Sequence, residues 1–288
     1  MADLHEERVP TAGYETHLYR AGAGNSPTVL LLHGGGPGAQ AWSNWRPTLA
    51  SLGEDLDVVA PDLVGFGETS HPDPAPYGPA AWIALRMEQL LALMDHLGVD
   101  RADLVGNSLG GALTLNMAIH HPERVRRMIL MGSGGPPFQV GPELMALLTF
   151  YDDPTAERLR SVLESFVYDL DGFGDVGQIV DARLEQALRP EVRRSFAAMF
   201  RSETGEPVGE LALPDEAVRG IRHPALIVHG REDRIIPPSA STWLHERLPN
   251  SDLAVLGHCG HWAMLERPRT FARLVRDFVR AEEEVMAG

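Results

Sequence analysis

Short apolar runs alternate with amphipathic segments along most of the chain. The apolar runs are typical of strands that are buried on both faces. They cover residues 29–32, 58–60, 102–105, 128–131 and 225–229. Apolar residues recur at helical spacing over residues 79–97, which a glycine follows, and over residues 268–280, so both segments predict helices. This alternation predicts an α/β fold, with a mostly parallel sheet covered by helices on both faces.

The alternation stops after residue 131. Apart from one serine, residues 132–137 are all glycine or proline, which predicts a loop. From there to about residue 213 the pattern is helical and no strand is predicted. We therefore predict a core formed by residues 1–136 and 214–288, and a helical cap at residues 137–213. Such an insert covers the carboxyl ends of the strands, where open α/β sheets bind ligands.

Composition narrows the possible partners. Of the 288 residues, 44% are hydrophobic and 23% are charged, which is typical of a globular protein. The net charge of −15 disfavours nucleic acid and anionic membranes, and an anionic substrate would need its own arginine. The N-terminal segment is polar and acidic, and no apolar run could span a bilayer, so we expect a cytoplasmic protein. Cys259 is the single cysteine, which excludes an intramolecular disulfide or a cysteine-based zinc site.

A candidate nucleophile follows the third predicted strand. Residues 106–110 read Gly-Asn-Ser-Leu-Gly and match G-x-S-x-G between a strand at 102–105 and a helix at 109–121. This context is the one that a nucleophile elbow requires, because the sharp turn needs small flanking residues and exposes the Ser108 hydroxyl. The alternative is an ordinary strand-to-helix turn with a capping serine.

A serine hydroxyl needs a base, and the base needs a carboxylate to orient it. His261 lies in a loop between a predicted strand at 252–256 and the last helix, with His258 as its rival. Asp233 follows the strand at 225–229, with Glu232 as its neighbour. The chain order serine, aspartate, histidine is the one found in α/β hydrolases. We therefore predict that Ser108, Asp233 and His261 form a catalytic triad.

A glycine-rich segment supplies candidate donors for an oxyanion. Residues 33–38 read His-Gly-Gly-Gly-Pro-Gly directly after the strand at 29–32. Glycines let backbone N–H groups come close to a reacting oxygen, so we expect the donors at Leu109 and Gly35, with Gly36 as an alternative. Residues 34–39 also match a dinucleotide fingerprint, but a proline interrupts it and the triad has no place in that interpretation. We expect no metal and no organic cofactor.

These motifs resemble the α/β-hydrolase superfamily along nearly the whole chain. The closest resemblance is to the meta-cleavage-product hydrolases, which cleave a C–C bond in 2-hydroxy-6-oxohexa-2,4-dienoates. It rests on residues 33–44, 106–111 and 259–268. The chain departs from that family at Leu109, where methionine is usual, and at Ser133, where proline is usual. The resemblance implies an α/β-hydrolase fold with a mostly parallel eight-stranded sheet flanked by helices and with an inserted helical cap.

The resemblance also implies roles for five further residues. Arg183 would bind the substrate carboxylate, Asn44 and Asn107 the oxygens near the reacting carbons, and Phe166 and Trp262 the apolar 6-substituent. Each has a plainer interpretation from the sequence alone. The arginine could be a solvated helix residue, the asparagines a helix cap and a turn stabiliser, and the aromatic residues ordinary core.

The resemblance therefore implies hydrolysis of an anionic dienoate to a carboxylic acid and a 2-hydroxypentadienoate, and a homodimer or higher homo-oligomer. Three alternatives remain open at this point. The same triad serves a carboxylesterase or lactonase, and a biosynthetic hydrolase could act on a related diketone or ester. A ligand receptor built on this fold could also retain the triad.

Overall fold

The computed structural model describes residues 3–170, 172, 176–200 and 206–281. It contains one eight-stranded sheet with the strand order β1-β2-β4-β3-β5-β6-β7-β8. The strands are β1 Leu4–Thr11, β2 Tyr14–Ala21, β3 Thr28–Leu32, β4 Asp57–Pro61, β5 Ala102–Asn107, β6 Val125–Met131, β7 Ala225–Gly230 and β8 Ser251–Leu256. The pairs from β4 to β8 are all parallel. Every apolar run that predicted a strand lies within one, so the predicted mostly parallel sheet is confirmed.

The first two strands were not predicted individually. They form an antiparallel hairpin, and β2 pairs antiparallel with β4. Their turn uses Ala12 (φ 47°) and Gly13 (φ 83°), both in the left-handed region. The sequence pattern is weak here because much of β1 is exposed, so charged residues hide the alternation.

Helices flank the sheet. Those of the core are α1 Ala41–Leu52, α2 Pro79–Leu97, α3 Leu109–His120, α10 Pro238–His245, α11 Ala263–Glu266 and α12 Pro268–Arg280. The bounds of α2 and α12 match the predicted helices. Gly98 ends α2 in the left-handed conformation, with φ 68°, as glycine after a helix commonly does. Among the described residues, no helix combines the length and the apolar character needed to cross a membrane.

The described part of the segment between β6 and β7 consists of helices and loops and contains no strand. It contains α4 Pro142–Leu148, α5 Ala156–Phe166, α6 Val176–Leu188, α7 Pro190–Phe200, α8 Glu206–Gly209 and α9 Asp215–Arg219. The N–H of Leu213 donates to the carbonyl of Gly135 at 2.7 Å, so the two ends of this insert lie side by side. The division at residues 136 and 213 stays a prediction, and this contact is consistent with it.

Residues 137–213 form the predicted cap, and their described part is attached to the core on two flanks. On one flank, His71 Nδ1 lies 2.9 Å from Ser195 Oγ, and Gly78 N–H donates to Ala198 O at 2.9 Å. On the other flank, the N–H of His261 donates to Phe166 O at 2.6 Å. There, Glu266 accepts from the N–H groups of Tyr168 and Gly260, both at 2.7 Å. The cap is therefore fixed to the loop that carries His261.

Candidate active site

Ser108 lies at a sharp turn between β5 and α3. Its φ of 54° and ψ of −114° lie outside the regions that side-chain-bearing residues usually adopt. A Cβ on Gly106 would lie 2.3 Å from Gly110 O, and one on Gly110 would lie 2.1 Å from Leu32 O. Neither position could hold a larger residue without moving the backbone. The motif therefore has the strained strand–turn–helix geometry of a nucleophile elbow.

Asp233 and His261 form a buried pair. Nδ1 of His261 lies 2.7 Å from Asp233 Oδ2, and both side chains are fully buried. Burial alone would raise the pKa of Asp233, but the positive charge of protonated His261 and hydrogen bonds from His229 and His261 hold this pKa well below its usual value. The other ring nitrogen of His261, Nε2, is buried and has no hydrogen-bond partner among the described residues. It is thus free to accept a proton from a hydroxyl group.

The loop after β6 contacts both the serine and the Asp–His pair. Ser108 N–H donates to Met131 O at 3.0 Å, and Gly134 N–H donates to Ser108 O at 2.9 Å. A Cβ on Gly132, which lies between them, would be 2.9 Å from His261 Nδ1 and 3.2 Å from Asp233 Oδ2. The structure thus brings the three predicted triad residues to one place, at the carboxyl ends of neighbouring strands.

The two rival residues have other contacts. His258 has a φ of 52° and packs against Tyr168 with ring centroids 5.3 Å apart. Glu232 accepts from Cys259 N–H at 3.0 Å and from Arg231. Since neither contact leads to Asp233 or Ser108, the geometry favours His261 over His258 and Asp233 over Glu232.

The glycine-rich segment lies next to the elbow. A Cβ on Gly35 would lie 2.8 Å from Leu109 Cδ2, and Gly35, Ser108 and Leu109 line one cavity. A Cβ on Gly36 would instead lie 3.4 Å from Arg183 Nη2. The next helix in the chain begins only at Ala41, so the glycines do not run directly into a helix as those of a dinucleotide fingerprint do. The structure therefore favours the oxyanion interpretation.

His33 holds Gly34, the first glycine of this segment, in place. Its Nδ1–H donates to Gly34 O at 2.8 Å, and its Nε2 accepts from Leu63 N–H at 3.0 Å. Burial lowers the pKa of His33 to about 4, so the ring is neutral, as these two contacts require. No separate role for this histidine was predicted from its motif.

Arg183 is a buried cation that lies above the glycine-rich segment. Its side chain donates from Nε to Pro37 O at 2.9 Å and lies 5.1 Å from the Trp262 ring centroid. A Cβ on Gly38, whose φ is 64°, would lie 2.1 Å from Arg183 O, so only glycine allows α6 to approach so closely. Burial lowers the pKa of the guanidinium to about 10. No carboxylate among the described residues forms an ion pair with it.

The two predicted asparagines are neighbours beneath this segment. Asn107 ends β5 and donates to Met131 O at 3.2 Å, which fits the role of a turn stabiliser. Asn44 Nδ2 lies 3.5 Å from Asn107 Oδ1. The N-cap of α1 is Gln40, so the expectation that Asn44 caps a helix is wrong. The Oδ1 atom of Asn44 is buried and has no hydrogen-bond partner among the described residues.

Phe166 and Trp262 lie on the same side of the triad as Arg183. Their ring centroids are 4.6 Å apart, and the Phe166 ring lies 5.3 Å from the His261 ring. Neither side chain lines the apolar cavity that opens beside Ser108. Both aromatic side chains therefore lie between Arg183 and His261 rather than at that cavity.

An apolar cavity opens beside Ser108. Among the described residues no charged side chain lines it, and the sequence did not predict most of its lining. The residues that sequence reasoning missed are Pro136, Phe138, Leu144, Leu148, Phe200, Val208, Leu211, Ile235 and Ile236. Most of them belong to the cap or to its connections, and no motif distinguishes them from other buried apolar residues.

Comparison with known proteins agrees with this geometry. Residues 27–268 match the family described as the alpha/beta hydrolase fold. The chain is 42% identical to 2-hydroxy-6-oxo-2,4-heptadienoate hydrolase of Pseudomonas putida, over 96% of each protein. It is also 39% identical to a 2-hydroxymuconate semialdehyde hydrolase of a Pseudomonas species, over 96% of this chain and 94% of that protein.

Two solved structures are similar over nearly their whole length. One is 2-hydroxy-6-oxo-6-phenylhexa-2,4-dienoate hydrolase from a Rhodococcus species, with 42% identity and a TM-score of 0.93, covering 98% of this chain and 100% of that one. The other is a meta-cleavage product hydrolase from Pseudomonas fluorescens, with 35% identity and a TM-score of 0.87. The similarity covers 94% of this chain and 96% of that one.

Proposed function

The chain belongs to the α/β-hydrolase fold family, and we propose that it is a serine-dependent C–C bond hydrolase. Its substrate is a 2-hydroxy-6-oxohexa-2,4-dienoate, the type of compound on which its relatives act by name. The products are a carboxylic acid and a 2-hydroxypentadienoate. Ser108, Asp233 and His261 are the catalytic residues, and the N–H groups of Leu109 and Gly35 stabilise the oxyanion.

The observation that carries this proposal is the buried guanidinium of Arg183 at one end of the site. A buried cation without a carboxylate partner is costly unless a ligand neutralises it. The guanidinium lies close to Gly36 and above Trp262, so an anion bound there would be within reach of the oxyanion segment. In a protein with net charge −15, this local cation supports binding of the substrate carboxylate.

The opposite end of the site is apolar. The described residues that line the cavity beside Ser108 and Gly35 are all uncharged, which suits an alkyl or aryl 6-substituent. A substrate with its carboxylate at Arg183 and its 6-substituent in this cavity presents its 6-oxo carbon to Ser108. Phe166 and Trp262 then contact the dienoate rather than the 6-substituent.

The first half of the reaction prepares the bond for cleavage. His261 takes the proton of the 2-hydroxyl group and delivers it to C5, which converts the dienol to a ketone. Before this transfer, the hydroxyl group donates a hydrogen bond to Oδ1 of Asn44, an atom that is buried and has no partner among the described residues. The ketone can then accept the electron pair of the breaking bond.

In the second half, Ser108 Oγ attacks C6 and its proton passes to His261 Nε2. The oxyanion at C6 collapses, the C5–C6 bond breaks, and the electron pair goes to the departing dienolate, which takes the proton from His261. Water then attacks the acyl-enzyme and gives its proton to His261, which returns it to Ser108 Oγ. Asp233 holds the imidazole and stabilises its cationic form throughout.

The test uses coloured 2-hydroxy-6-oxo-6-phenylhexa-2,4-dienoate and follows its visible absorbance. We expect rapid bleaching with formation of benzoate and 2-hydroxypentadienoate. The Ser108→Ala variant serves as the matched control, and we expect it to bind the compound without cleaving it. Bleaching that survives this substitution would exclude Ser108 as the nucleophile.

A second substrate class separates this proposal from its alternatives. A preparation that hydrolyses nitrophenyl esters but leaves the dienoate unchanged would be a carboxylesterase or lactonase, or a biosynthetic hydrolase. A preparation that binds the dienoate and turns over neither compound would be a receptor. Only bleaching with both expected products supports C–C bond hydrolysis.

We further propose that the enzyme works in the cytoplasm as a homodimer or higher homo-oligomer. Its only cysteine, Cys259, is free, as is usual in reducing compartments. The strand β8 lies at the edge of the sheet and exposes 50% of Val255, a surface that association would cover. Light scattering on the purified protein measures the oligomeric state, and fractionation of the native host tests the location.

A further inference from the structure

A second buried histidine contacts the carboxylate of Asp233. Nε2 of His229 lies 3.2 Å from Asp233 Oδ2, the same oxygen that lies 2.7 Å from His261 Nδ1. The other oxygen, Oδ1, accepts from the N–H groups of Ile235 and Ile236 at 2.8 and 3.0 Å. The carboxylate thus has four donors, and two of them are imidazoles that share one oxygen.

The contacts of His229 fix its tautomer. Nε2 lies 3.0 Å from Ile236 O, and a carbonyl can only accept, so Nε2 carries a proton. That N–H is shared between the carbonyl and Asp233 Oδ2. Nδ1 lies 2.6 Å from the buried Ser241 Oγ, whose hydroxyl group donates to it. Both nitrogens therefore have hydrogen-bond partners.

We infer that His229 is a positioning residue that tunes the catalytic base, because its Nε2–H competes with His261 for Asp233 Oδ2. An unshared carboxylate charge would favour the protonated imidazole of His261, and a protonated base cannot accept the proton of Ser108. By drawing part of that charge to itself, His229 keeps His261 neutral at lower pH. The inference rests on the proposed triad.

Other titratable groups near His261 are already engaged. Glu232 accepts from Cys259 N–H, and Glu266 accepts from Gly260 N–H. Burial raises the pKa of the Cys259 thiol to about 12, so it stays neutral. Arg183 lies over the far ring of Trp262. Since none of these contacts involves Asp233 Oδ2, His229 is the group whose removal should change the Asp233–His261 hydrogen bond.

Two substitutions at this position separate its contacts. The amide of His229→Asn reaches about as far as Nδ1 and keeps a partner for Ser241, but it does not reach Asp233. The amide of His229→Gln reaches about as far as Nε2 and restores an N–H for the carboxylate. Circular dichroism and thermal melting confirm that both variants fold before their kinetics are compared.

We expect the acid limb of the kcat/KM profile to move up by about one pH unit in His229→Asn. Activity then falls by up to about tenfold at the acid end of the profile and changes little on the plateau, while KM stays constant. His229→Gln should return the profile towards wild type. A loss by the same factor at every pH, or an equal shift in both variants, would overturn the inference in favour of a purely structural role.

A proton NMR measurement makes this test independent of the substrate. The Nδ1 proton of His261, bonded to a carboxylate, resonates far downfield in the free enzyme. We expect it to move further downfield in His229→Asn, because the bond to Asp233 strengthens, and to return in His229→Gln. An unmoved resonance overturns the inference even if the dienoate is a substrate, whereas a moved resonance supports it even if the dienoate is not cleaved.

Discussion

The core half and the cap half of the active site are built in different ways. In the core half, backbone packing holds the nucleophile, since a Cβ on Gly106 or Gly110 would lie within 2.3 Å of a backbone oxygen. The cap half consists of side chains on helices, such as Arg183 on α6 and Leu148 on α4. The core therefore fixes the position of the reacting atoms, while the cap determines what lies on either side of them.

This difference predicts two kinds of variant. A change in the core half should reduce the rate for every substrate, because it alters the chemistry itself. A change in the cap half should alter the relative rates of different substrates, because it acts on parts of the substrate remote from the reacting carbon. The following substitutions test that separation, beginning with the largest effect.

The largest effect should come from His261→Ala in the core half. We expect kcat to fall about 10⁴-fold for the dienoate and for nitrophenyl acetate alike, since both need the same base. Steady-state kinetics on the two substrates measure the ratio. A variant that loses one activity and keeps the other would show that the two reactions use different bases. It would contradict the claim that changes in the core half reduce the rate for every substrate.

In the cap half, Arg183→Gln should lower kcat/KM for the dienoate about a hundredfold, because a charge-assisted hydrogen bond to the carboxylate is lost. Turnover of the uncharged nitrophenyl acetate should stay within about threefold of wild type. Arg183→Lys is the matched control and should be intermediate, since it keeps the charge but not the planar fork. An equal loss on both substrates would mean that Arg183 supports the core half instead.

A smaller effect is expected at the apolar end of the cap half. Leu148 lines the cavity beside Ser108, so Leu148→Ala enlarges it. We expect the ratio of kcat/KM for 6-phenyl over 6-methyl dienoate to rise about fivefold. Leu159→Ala is the matched control, since Leu159 is buried in α5 but does not line the cavity. Leu159→Ala should lower the melting temperature and leave the ratio unchanged. A similar change of the ratio in both variants would contradict the proposal that the cavity beside Ser108 binds the 6-substituent.

The smallest effect should come from the buried His17 at the edge of the core. His17 Nδ1 lies 2.8 Å from Asp62 Oδ2, and its Nε2 lies 2.8 Å from Glu6 Oε1. Burial lowers the pKa of His17, but hydrogen bonds and charge from Asp62 and Glu6 outweigh it, so this pKa is raised. The Tyr19 ring packs edge-on at 5.0 Å.

A raised pKa in the folded protein stabilises it below the pKa of the unfolded chain, about 6.5, and this contribution is lost as pH rises through the folded value. We expect the melting temperature of wild type to fall by about 2 °C more than that of His17→Gln between pH 6 and pH 9. Differential scanning calorimetry measures both. Parallel curves would show that folding does not raise the pKa of His17, and activity at neutral pH serves as the control for intact folding.

The same two halves differ in how far the sequence predicts them. Ser108, Asp233 and His261 each follow a predicted strand, and the carboxyl ends of parallel strands meet at one edge of the sheet. Local pattern and chain order are therefore enough to bring them together. The glycines of the oxyanion segment are equally visible, because close backbone approach leaves no room for another residue.

The cap lining could not be predicted in this way. Phe200 and Leu148 reach the cavity only because two helices with no local motif pack over the sheet, and amphipathic spacing shows that a residue is buried but not against what. His229 was missed for a similar reason, since it reads as one more residue of a buried strand. Its role depends on the distance to Asp233, which lies beyond the end of that strand.

The two ends of the cap lie side by side, joined by the hydrogen bond from Leu213 N–H to Gly135 O. This proximity matters for any attempt to exchange the cap for another one. An insert whose ends touch can be excised and replaced at those ends without stretching the sheet. The replacement must nevertheless supply a carbonyl where Phe166 now accepts from His261 N–H. A grafted cap chosen only for its pocket would leave the catalytic histidine loop without that tether, so new specificities are better sought by changing side chains on the native helices.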